Sequence, residues 1–198
     1  MSIDILLYPA VLIVAITSAV LLTTRNWVWT IVALALQYIG VFLLASASWP
    51  ISMSTAKLVA GWMAAAVLGM VMVATPEAIR QEEPHWPSGR FFRLFTSGLI
   101  YLGAVSIAPQ ASDFIPGIEL VTTIGGLVLI GMGLLHLGLT SQPLRAAIGI
   151  LTFLSGFEVL YAAVERAVLI AGLLAFVNMG IALVGAYLLA SPTLEAPE

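Results

Sequence analysis

The stretch from Pro143 to Glu165 reads PLRAAIGILTFLSGFEVLYAAVE, a largely apolar run with one carboxylate well inside it, Glu158. A helix needs roughly 20 predominantly apolar residues to cross a hydrocarbon core of about 30 Å, and this stretch has that length. It therefore predicts a transmembrane helix. An ionised carboxylate inside such a helix is costly, so Glu158 is the first residue that a functional hypothesis has to explain.

The composition of the whole chain predicts a membrane protein. Of its 198 residues, 61% are hydrophobic and 9% are charged, whereas charged residues make up about a quarter of soluble domains. The net charge is only -3 and there is no basic run, which excludes nucleic acid as a partner. The chain has no cysteine, and its two histidines, His85 and His136, fall in different segments. We therefore expect no cofactor and no metal site in this chain.

Hydropathy predicts an all-α fold, a polytopic bundle of about seven transmembrane helices that forms a single integral membrane domain, residues 1–198. The predicted spans are about Ile3–Leu22, Trp27–Ser46, Met53–Ala74, Phe91–Ala108, Ile118–Thr140, Leu144–Val164 and Ala167–Ala190. Residues 1–74 form a three-helix N-terminal part, residues 75–93 a cytoplasmic loop, residues 94–190 a four-helix part and residues 191–198 a tail. A second, turn-rich loop is predicted at Pro109–Gly117.

The positions of the cations predict the orientation of the bundle. Five arginines lie in or beside the first, third and fifth connectors: Arg25, Arg80, Arg90, Arg93 and Arg145. Arg166 and Lys57 lie towards the other side. Because short cytoplasmic loops are enriched in Lys and Arg, we expect the N-terminus outside and the C-terminus in the cytoplasm. The predicted location is the cell inner (plasma) membrane, with multiple passes.

Glu158 lies about 10 Å inside the outer end of its helix, at 1.5 Å per residue. There it has to be protonated, paired or open to a hydrated cavity, and each of these states makes it a candidate proton carrier. The alternative is a neutral side chain that forms a hydrogen bond between helices. Glu165 lies two turns further along, beside Arg166, and we interpret these two residues as a solvated ion pair at the surface.

Lys57 lies near the start of the third predicted helix, at a depth comparable with that of Glu158. It is either a lysine whose ammonium extends to the membrane surface or, if the two helices are neighbours, the ionic partner of Glu158. In the second case its charge favours the carboxylate, whereas burial favours the neutral acid. Such opposed effects suit a site that switches between protonation states.

Four further polar side chains belong to the predicted site. His136, near the inner end of the fifth span, is either a group that loads protons from the cytoplasm or a packing residue, and roughly 15 Å separates its depth from that of Glu158. Gln37 and Asn178 lie near mid-depth, where they either hold bridging waters or form structural hydrogen bonds between helices. Arg145 opens the helix that contains Glu158.

Two blocks of the sequence carry a family resemblance. The first is TTRNWVWTIVALALQYIGVFLLASASWPISMSTAKLV, with matching residues Arg25, Gln37 and Lys57. The second is LLHLGLTSQPLRAAIGILTFLSGFEVLYAA, with matching residues His136, Arg145, Gly149 and Glu158. In order and spacing they resemble component E of hydrogenase-4 and of related formate-hydrogenlyase complexes. The C-terminal half of that component is similar to the K subunit of bacterial NADH–quinone oxidoreductase and to its counterpart in multisubunit sodium/proton antiporters.

The resemblance implies a pattern in which a cation opens a helix and a glutamate follows deep within it, here Arg145 and Glu158. Glu158 lies about one turn further from Arg145 than in component E, closer to the K-subunit form. K subunits carry a second acidic residue in the next helix, and Ala167–Ala190 contains no carboxylate.

The leading hypothesis is a non-redox membrane subunit of a complex-I-like or membrane-bound hydrogenase-like assembly. Its expected partners are other membrane subunits of a respiratory or hydrogenase-type complex, together with the lipid bilayer. It would contribute to proton or cation translocation, with Glu158 as the proton-binding carboxylate, Lys57 as its charge modulator and His136 as a loading group. No catalytic site is apparent, so any enzymatic activity would belong to an oxidoreductase complex. The alternatives are a structural or assembly subunit, in which Lys57 and Glu158 lock helices together, and a stand-alone small transporter.

Overall fold

The computed structural model describes residues 4–75, 89–115, 117–140 and 142–194. Within these ranges the chain forms seven α-helices and no strand, and every helix is long and apolar enough to cross a membrane. In chain order the helices are α1 (Asp4–Thr23), α2 (Trp27–Ala45), α3 (Ile51–Ala74), α4 (Arg90–Phe114), α5 (Leu120–Gly138), α6 (Pro143–Val164) and α7 (Val168–Leu194). The prediction of an all-α, multi-pass membrane bundle is confirmed, while the orientation of the termini stays a prediction.

The described residues form two large apolar cores. One lies mainly between α2, α3, α6 and α7, and the other mainly between α1, α2, α4 and α5. A smaller apolar cluster is formed by Ala45, Trp49, Met53 and Ala162. Helices α2 and α6 contribute to both cores, whereas α4 and α7 lie at the periphery. Only 22% of the span in α4 and 17% of that in α7 are buried, against 56% in α6. The outer faces of α4 and α7 are therefore open to lipid or to partner proteins.

Two sets of contacts define the two ends of the bundle. Arg93 at the start of α4 and Arg145 at the start of α6 donate hydrogen bonds to backbone oxygens at the end of α1. We call this end, which also contains the end of α5, the arginine end. At the opposite end, Trp49 in the α2–α3 connector donates its indole N–H to the backbone oxygen of Glu165, 2.8 Å away. The predicted clustering of Arg25, Arg90, Arg93 and Arg145 at one end is confirmed, and Arg80 lies outside the described residues.

Helices α5 and α6 approach so closely that their backbones touch. A Cβ atom on Gly133 would lie 2.5 Å from the backbone nitrogen of Phe153, and one on Gly156 would lie 2.6 Å from the backbone oxygen of Gly126. No side chain fits at either place. Small residues commonly allow such close approach between membrane helices, because packing rather than water exclusion drives their association. This contact holds the helix of Glu158 in a defined position.

The prediction of a loop at Pro109–Gly117 is wrong over most of its length, because α4 continues through Pro109 to Phe114. Proline inside a helix removes one backbone hydrogen bond and clashes with the preceding turn, but membrane helices tolerate it. The Ser112 hydroxyl donates to the Pro109 oxygen at 2.8 Å. The turn comes later, at Gly117, where φ is 80°.

The other helix limits differ from the predicted spans by a few residues. Helix α3 begins two residues early, directly after Pro50, which has a backbone conformation suited to the residue before a helix. Helix α4 already begins at Arg90, within the predicted loop 75–93, and α7 continues into the predicted tail as far as Leu194. Residues 76–88 and 195–198 lie outside the described residues.

Candidate functional site

Glu158 is buried inside the bundle. It lies in the last two turns of α6, and only 2% of its surface is exposed. Burying a lone carboxylate costs several kcal/mol, so buried charges in proteins are paired or hydrogen-bonded. Both carboxylate oxygens of Glu158 have a partner, and each partner comes from a different helix.

The first partner is Lys57 in the second turn of α3. Its Nζ lies 2.6 Å from Oε2 of Glu158, and 3% of the lysine surface is exposed. The alternative in which Lys57 extends to the membrane surface is therefore wrong, and the alternative in which Lys57 is the partner of Glu158 is confirmed. It is the one salt bridge found between described residues.

The second partner is Asn178 in α7. Its Nδ2 donates to Oε1 of Glu158 at 2.9 Å and to the backbone oxygen of Leu174 at 3.1 Å. The hydrogen bond to the carboxylate confirms that Asn178 joins two helices directly. Lys57, Glu158 and Asn178 thus connect α3, α6 and α7 through polar contacts inside the apolar bundle, and we call these three residues the buried triad.

Tyr38 of α2 completes the surroundings of Lys57 and was not predicted from the sequence. The ammonium lies 5.4 Å from the centre of the Tyr38 ring, within the range of a cation–π contact. The ring reaches this place because residue 61 is glycine: a Cβ atom on Gly61 would overlap the Tyr38 ring. Gly61 lies one turn after Lys57 on the same face of α3, so the sequence could have indicated space for a large side chain beside Lys57, without showing which residue fills it.

Several polar atoms near the buried triad lack a well-formed hydrogen bond among the described residues. They are Nζ of Lys57, Oε2 of Glu158, the Tyr38 hydroxyl and Oδ1 of Asn178. The Tyr38 hydroxyl lies near Ser155, one turn before Glu158 in α6, without a well-formed bond. An ammonium has three N–H donors, whereas the ammonium of Lys57 contacts only one carboxylate oxygen and one aromatic ring among the described residues. The ion pair is therefore incompletely solvated by the protein.

Gln37 does not belong to the buried triad. Its Nε2 donates to Oγ of Ser18 at 3.4 Å, across the interface of α1 and α2, and its Oε1 has no partner among the described residues. A direct hydrogen bond between helices is thus what the structure shows for Gln37. Successive residues of a helix point about 100° apart, which is why Gln37 and Tyr38 face different neighbours.

His136 and Arg145 lie together at the arginine end. His136, in the last turn of α5, is 3% exposed, and its Nε2 has no hydrogen-bond partner among the described residues. The guanidinium groups of Arg145 and Arg93 are close enough to act on it electrostatically. Both arginines are buried, so His136 occupies a positively charged region rather than an acidic one.

The two buried arginines bind the C-terminal end of α1. Arg93 donates from Nη1 to the oxygen of Leu22 at 3.0 Å, and Arg145 donates from Nη2 to the oxygen of Thr24 at 2.9 Å. Arg145 also donates from Nε to Oε1 of Gln142 at 3.1 Å. Helix ends leave backbone oxygens without intrahelical partners and carry partial negative charge, so cations are favourable there. Arg145 therefore has a structural role in this fold.

The His136 region and the buried triad are separate sites. Arg145 and Glu158 belong to the same helix, and the rise of α6 between them is about 20 Å. The expectation that His136 and Glu158 do not exchange a proton directly agrees with this separation. Two buried hydroxyl side chains of α6, those of Thr152 and Ser155, lie between Arg145 and Glu158 along the helix.

Glu165 differs from its expected role as a partner of the Arg166 side chain. Its Oε1 accepts the backbone N–H groups of Arg166 and Ala167, both at 2.9 Å. The carboxylate therefore satisfies free donors at the start of α7, where negative charge is favourable. Glu165 stabilises a helix terminus, which separates it chemically from Glu158.

These features define the class of the protein as a multi-pass α-helical membrane protein with a buried Lys–Glu–Asn triad at one end and a cluster of arginines at the other. No family model, curated protein or solved structure matches the chain. The described residues contain no group of three His, Asp or Glu side chains that could hold a metal ion. The expectation that the chain binds no cofactor stays a prediction.

Proposed function

We propose that the chain is a non-redox membrane subunit that carries protons through the Lys57–Glu158 pair within a complex-I-like or membrane-bound hydrogenase-like assembly. The cell inner membrane is its proposed location. The proposal is supported by the buried pair itself and by the resemblance of the two sequence blocks that contain Lys57 and Glu158. It assigns no electron-transfer step to this chain.

The observation that carries the proposal is the incomplete solvation of Lys57. Two separated charges in an apolar interior are stable only if hydrogen bonds satisfy their remaining donors and acceptors. Here the ammonium contacts one carboxylate oxygen at 2.6 Å and one aromatic ring. Transfer of one proton from Nζ to Oε2 converts the ion pair into a neutral amine and a neutral acid, which need less solvation. A pair that is stable in either form can accept and release protons when its surroundings change.

The assembly is supported by the exposed apolar faces of α4 and α7, which leave room for neighbouring membrane subunits. Redox reactions in such subunits would alter the field or hydration at the buried triad, and Glu158 would respond by changing its protonation state. Asn178 keeps Oε1 of Glu158 in place during this change, because its amide nitrogen donates to a carboxylate oxygen and, more weakly, to the carbonyl oxygen of the neutral acid.

Proton pumping per electron in the assembled complex tests the proposal. Glu158→Gln keeps the size of the side chain and removes the titrating group, so we expect pumping per electron to be lost while the complex still assembles. Glu165→Gln is the matched control, because it changes the same residue type at a helix terminus and keeps an oxygen acceptor for the backbone N–H groups. Unchanged pumping in both Glu158→Gln and Glu158→Ala would show that the proton role is wrong.

A second candidate is a structural or assembly subunit, and one observation favours it: the buried triad joins three helices, with short contacts to both oxygens of Glu158. Buried ion pairs can often be replaced by apolar residues without loss of stability. The double variant Lys57→Met with Glu158→Leu therefore separates the candidates. A stable complex that still pumps normally would establish the structural role, whereas a stable complex without pumping supports the proton role.

A further inference from the structure

An open pocket at the arginine end has the chemistry of an anion site. Its volume is about 510 Å³, and it lies where α1 ends, α2 begins and α4 begins. The residues around it are Thr23, Thr24, Arg25, Asn26, Arg90 and Leu94. The described lining contains two guanidinium groups, two hydroxyl groups and an amide, and no carboxylate.

Both pocket arginines are exposed, and neither forms a salt bridge with a described acidic residue. The two buried arginines at the same end of the bundle, Arg93 and Arg145, already bind backbone oxygens at the C-terminal end of α1. Four guanidinium groups at one end of the bundle produce a positive potential that attracts anions from solution or from the membrane surface.

The first turn of α4 adds backbone donors to this region. Gly89 precedes α4, and because glycine has no side chain it cannot accept hydrogen bonds from the free backbone N–H groups at the start of the helix. The first N–H groups of a helix have no intrahelical acceptors, and the helix dipole is positive at this end. An anion beside Arg90 is therefore favoured by the helix terminus as well as by the side chain.

The pocket continues into an apolar surface. Leu94 lines it one turn after Arg90, and the neighbouring side chains of Phe91 and Phe95 are 91% and 66% exposed. Helix α1 has 20 residues, a length of about 30 Å at 1.5 Å per residue, so Thr23 at its end lies near the edge of the hydrocarbon core. The pocket therefore lies at the depth expected for lipid headgroups, beside two exposed phenylalanines.

We propose that this pocket binds the phosphate group of an anionic phospholipid, with Arg25 and Arg90 as its charged ligands and with the acyl chains lying along Leu94 and Phe95. Basic pockets between membrane helices at headgroup depth are typical sites for anionic lipids. Arginine suits the site because its planar fork binds phosphate oxygens in pairs. The Thr24 hydroxyl, which belongs to a lining residue, and the first N–H groups of α4 would donate to the remaining oxygens.

Native mass spectrometry of the purified full chain in detergent tests this site, with phosphatidylglycerol and phosphatidylcholine of identical acyl chains as probes. We expect one phosphatidylglycerol to be retained in preference to phosphatidylcholine. Each membrane-surface arginine contributes about fivefold to affinity for anionic lipid, so the double variant Arg25→Gln with Arg90→Gln should retain it roughly 25-fold more weakly. A double Arg→Lys variant keeps both charges and loses the planar forks, so it should bind phosphatidylglycerol more strongly than the double Gln variant and more weakly than the wild type. It also shows whether the fold tolerates changes at these positions.

Arg166→Gln is the matched control, because it removes an exposed arginine at the opposite end of the bundle. Retention by this variant should equal that of the wild type. Equal retention by the Arg25→Gln, Arg90→Gln variant, or equal retention of the two lipids, would overturn the proposal. Displacement of phosphatidylglycerol by millimolar inorganic phosphate would assign the pocket to a soluble phosphate and would also overturn it.

Discussion

At the scale of single residues, Glu158 depends on two groups from other helices, the ammonium of Lys57 and the amide of Asn178. Removing one charge of a buried pair leaves the other without compensation, and this is generally more harmful than removing both. The stability of single and double variants therefore reports whether the pair is charged in the folded protein.

Lys57→Met should lower the free energy of unfolding by about 3–5 kcal/mol, because Glu158 then remains buried without its cation. Adding Glu158→Leu to the same chain should restore most of that loss, since the two apolar side chains can pack together inside the bundle. Unfolding by titration with a denaturing detergent in mixed micelles measures the difference. If the double variant is as unstable as the sum of its two single variants, the residues do not interact in the folded state.

Gly61 and Tyr38 show how one small residue defines the polar site. The ring of Tyr38 occupies the space that a side chain at residue 61 would fill, and this places the ring against Lys57. The cation–π contact contributes about 0.5–2 kcal/mol to a desolvated ammonium. This contact partly offsets the free-energy cost of the Lys57 N–H donors that Glu158 alone does not satisfy.

At the scale of the helices, the closest packing in the bundle is between α5 and α6. Gly126, Gly133 and Gly156 allow backbone contact there, and the same pair of helices carries His136, Arg145 and Glu158. Displacing α6 along or away from α5 would move Glu158 relative to Lys57. The glycines therefore help to keep the buried triad in place although they do not contact it.

Gly133→Ala should destabilise the protein by about 1–3 kcal/mol, because the added methyl group meets the backbone of Phe153 and forces the helices apart. Gly172→Ala in α7 is the matched control, since no atom lies within 4 Å of its added Cβ. There the same substitution should stabilise the helix by about 0.5–1 kcal/mol. Unfolding in mixed micelles measures both variants, and an equal effect at the two glycines would contradict close packing of α5 and α6.

At the scale of the whole molecule, the arginine end joins parts of the chain that are far apart in sequence. Arg93 and Arg145 reach the end of α1 from positions 71 and 121 residues later in the chain. These bonds form only when α4 and α6 have assembled against α1. The arginine end therefore stabilises the closed bundle as a unit, and the opposite end holds the buried triad.

Arg145→Met should lower the free energy of unfolding by about 1.5–3 kcal/mol, the usual contribution of hydrogen bonds to charged groups. It removes the donor to Thr24 and the donor to Gln142 while keeping an apolar stem of similar length. Arg166→Gln, which changes an exposed arginine at the opposite end, should have an effect within about 0.5 kcal/mol. Thermal unfolding in detergent compares the two, and equal stability of Arg145→Met and wild type would contradict this structural role.

The sequence by itself determined the number of spans, the membrane class and the deep carboxylate. Hydropathy is a sum over about 20 neighbouring residues, so it needs no knowledge of other helices. The same local reasoning placed Lys57 and Glu158 at similar depths and collected the arginines at one end. It was wrong at Pro109, because proline disfavours helices in general but is tolerated inside membrane helices, where other groups satisfy the backbone oxygen that it leaves free.

Only the tertiary structure decided which polar side chains meet. Successive side chains of a helix point about 100° apart, so two polar side chains from different helices meet only if both helices have the right rotation and spacing. The packing of small residues between helices determines that rotation and spacing. The contact between Tyr38 and Lys57 therefore depends on how the Tyr38 ring packs against Gly61, which the sequence does not show. For the same reason the sequence does not show that Gln37 faces Ser18 and not the buried triad. The depth of a residue in the membrane follows from its position in its own helix. The contacts of Glu158 with Lys57 and Asn178 depend on how the helices assemble.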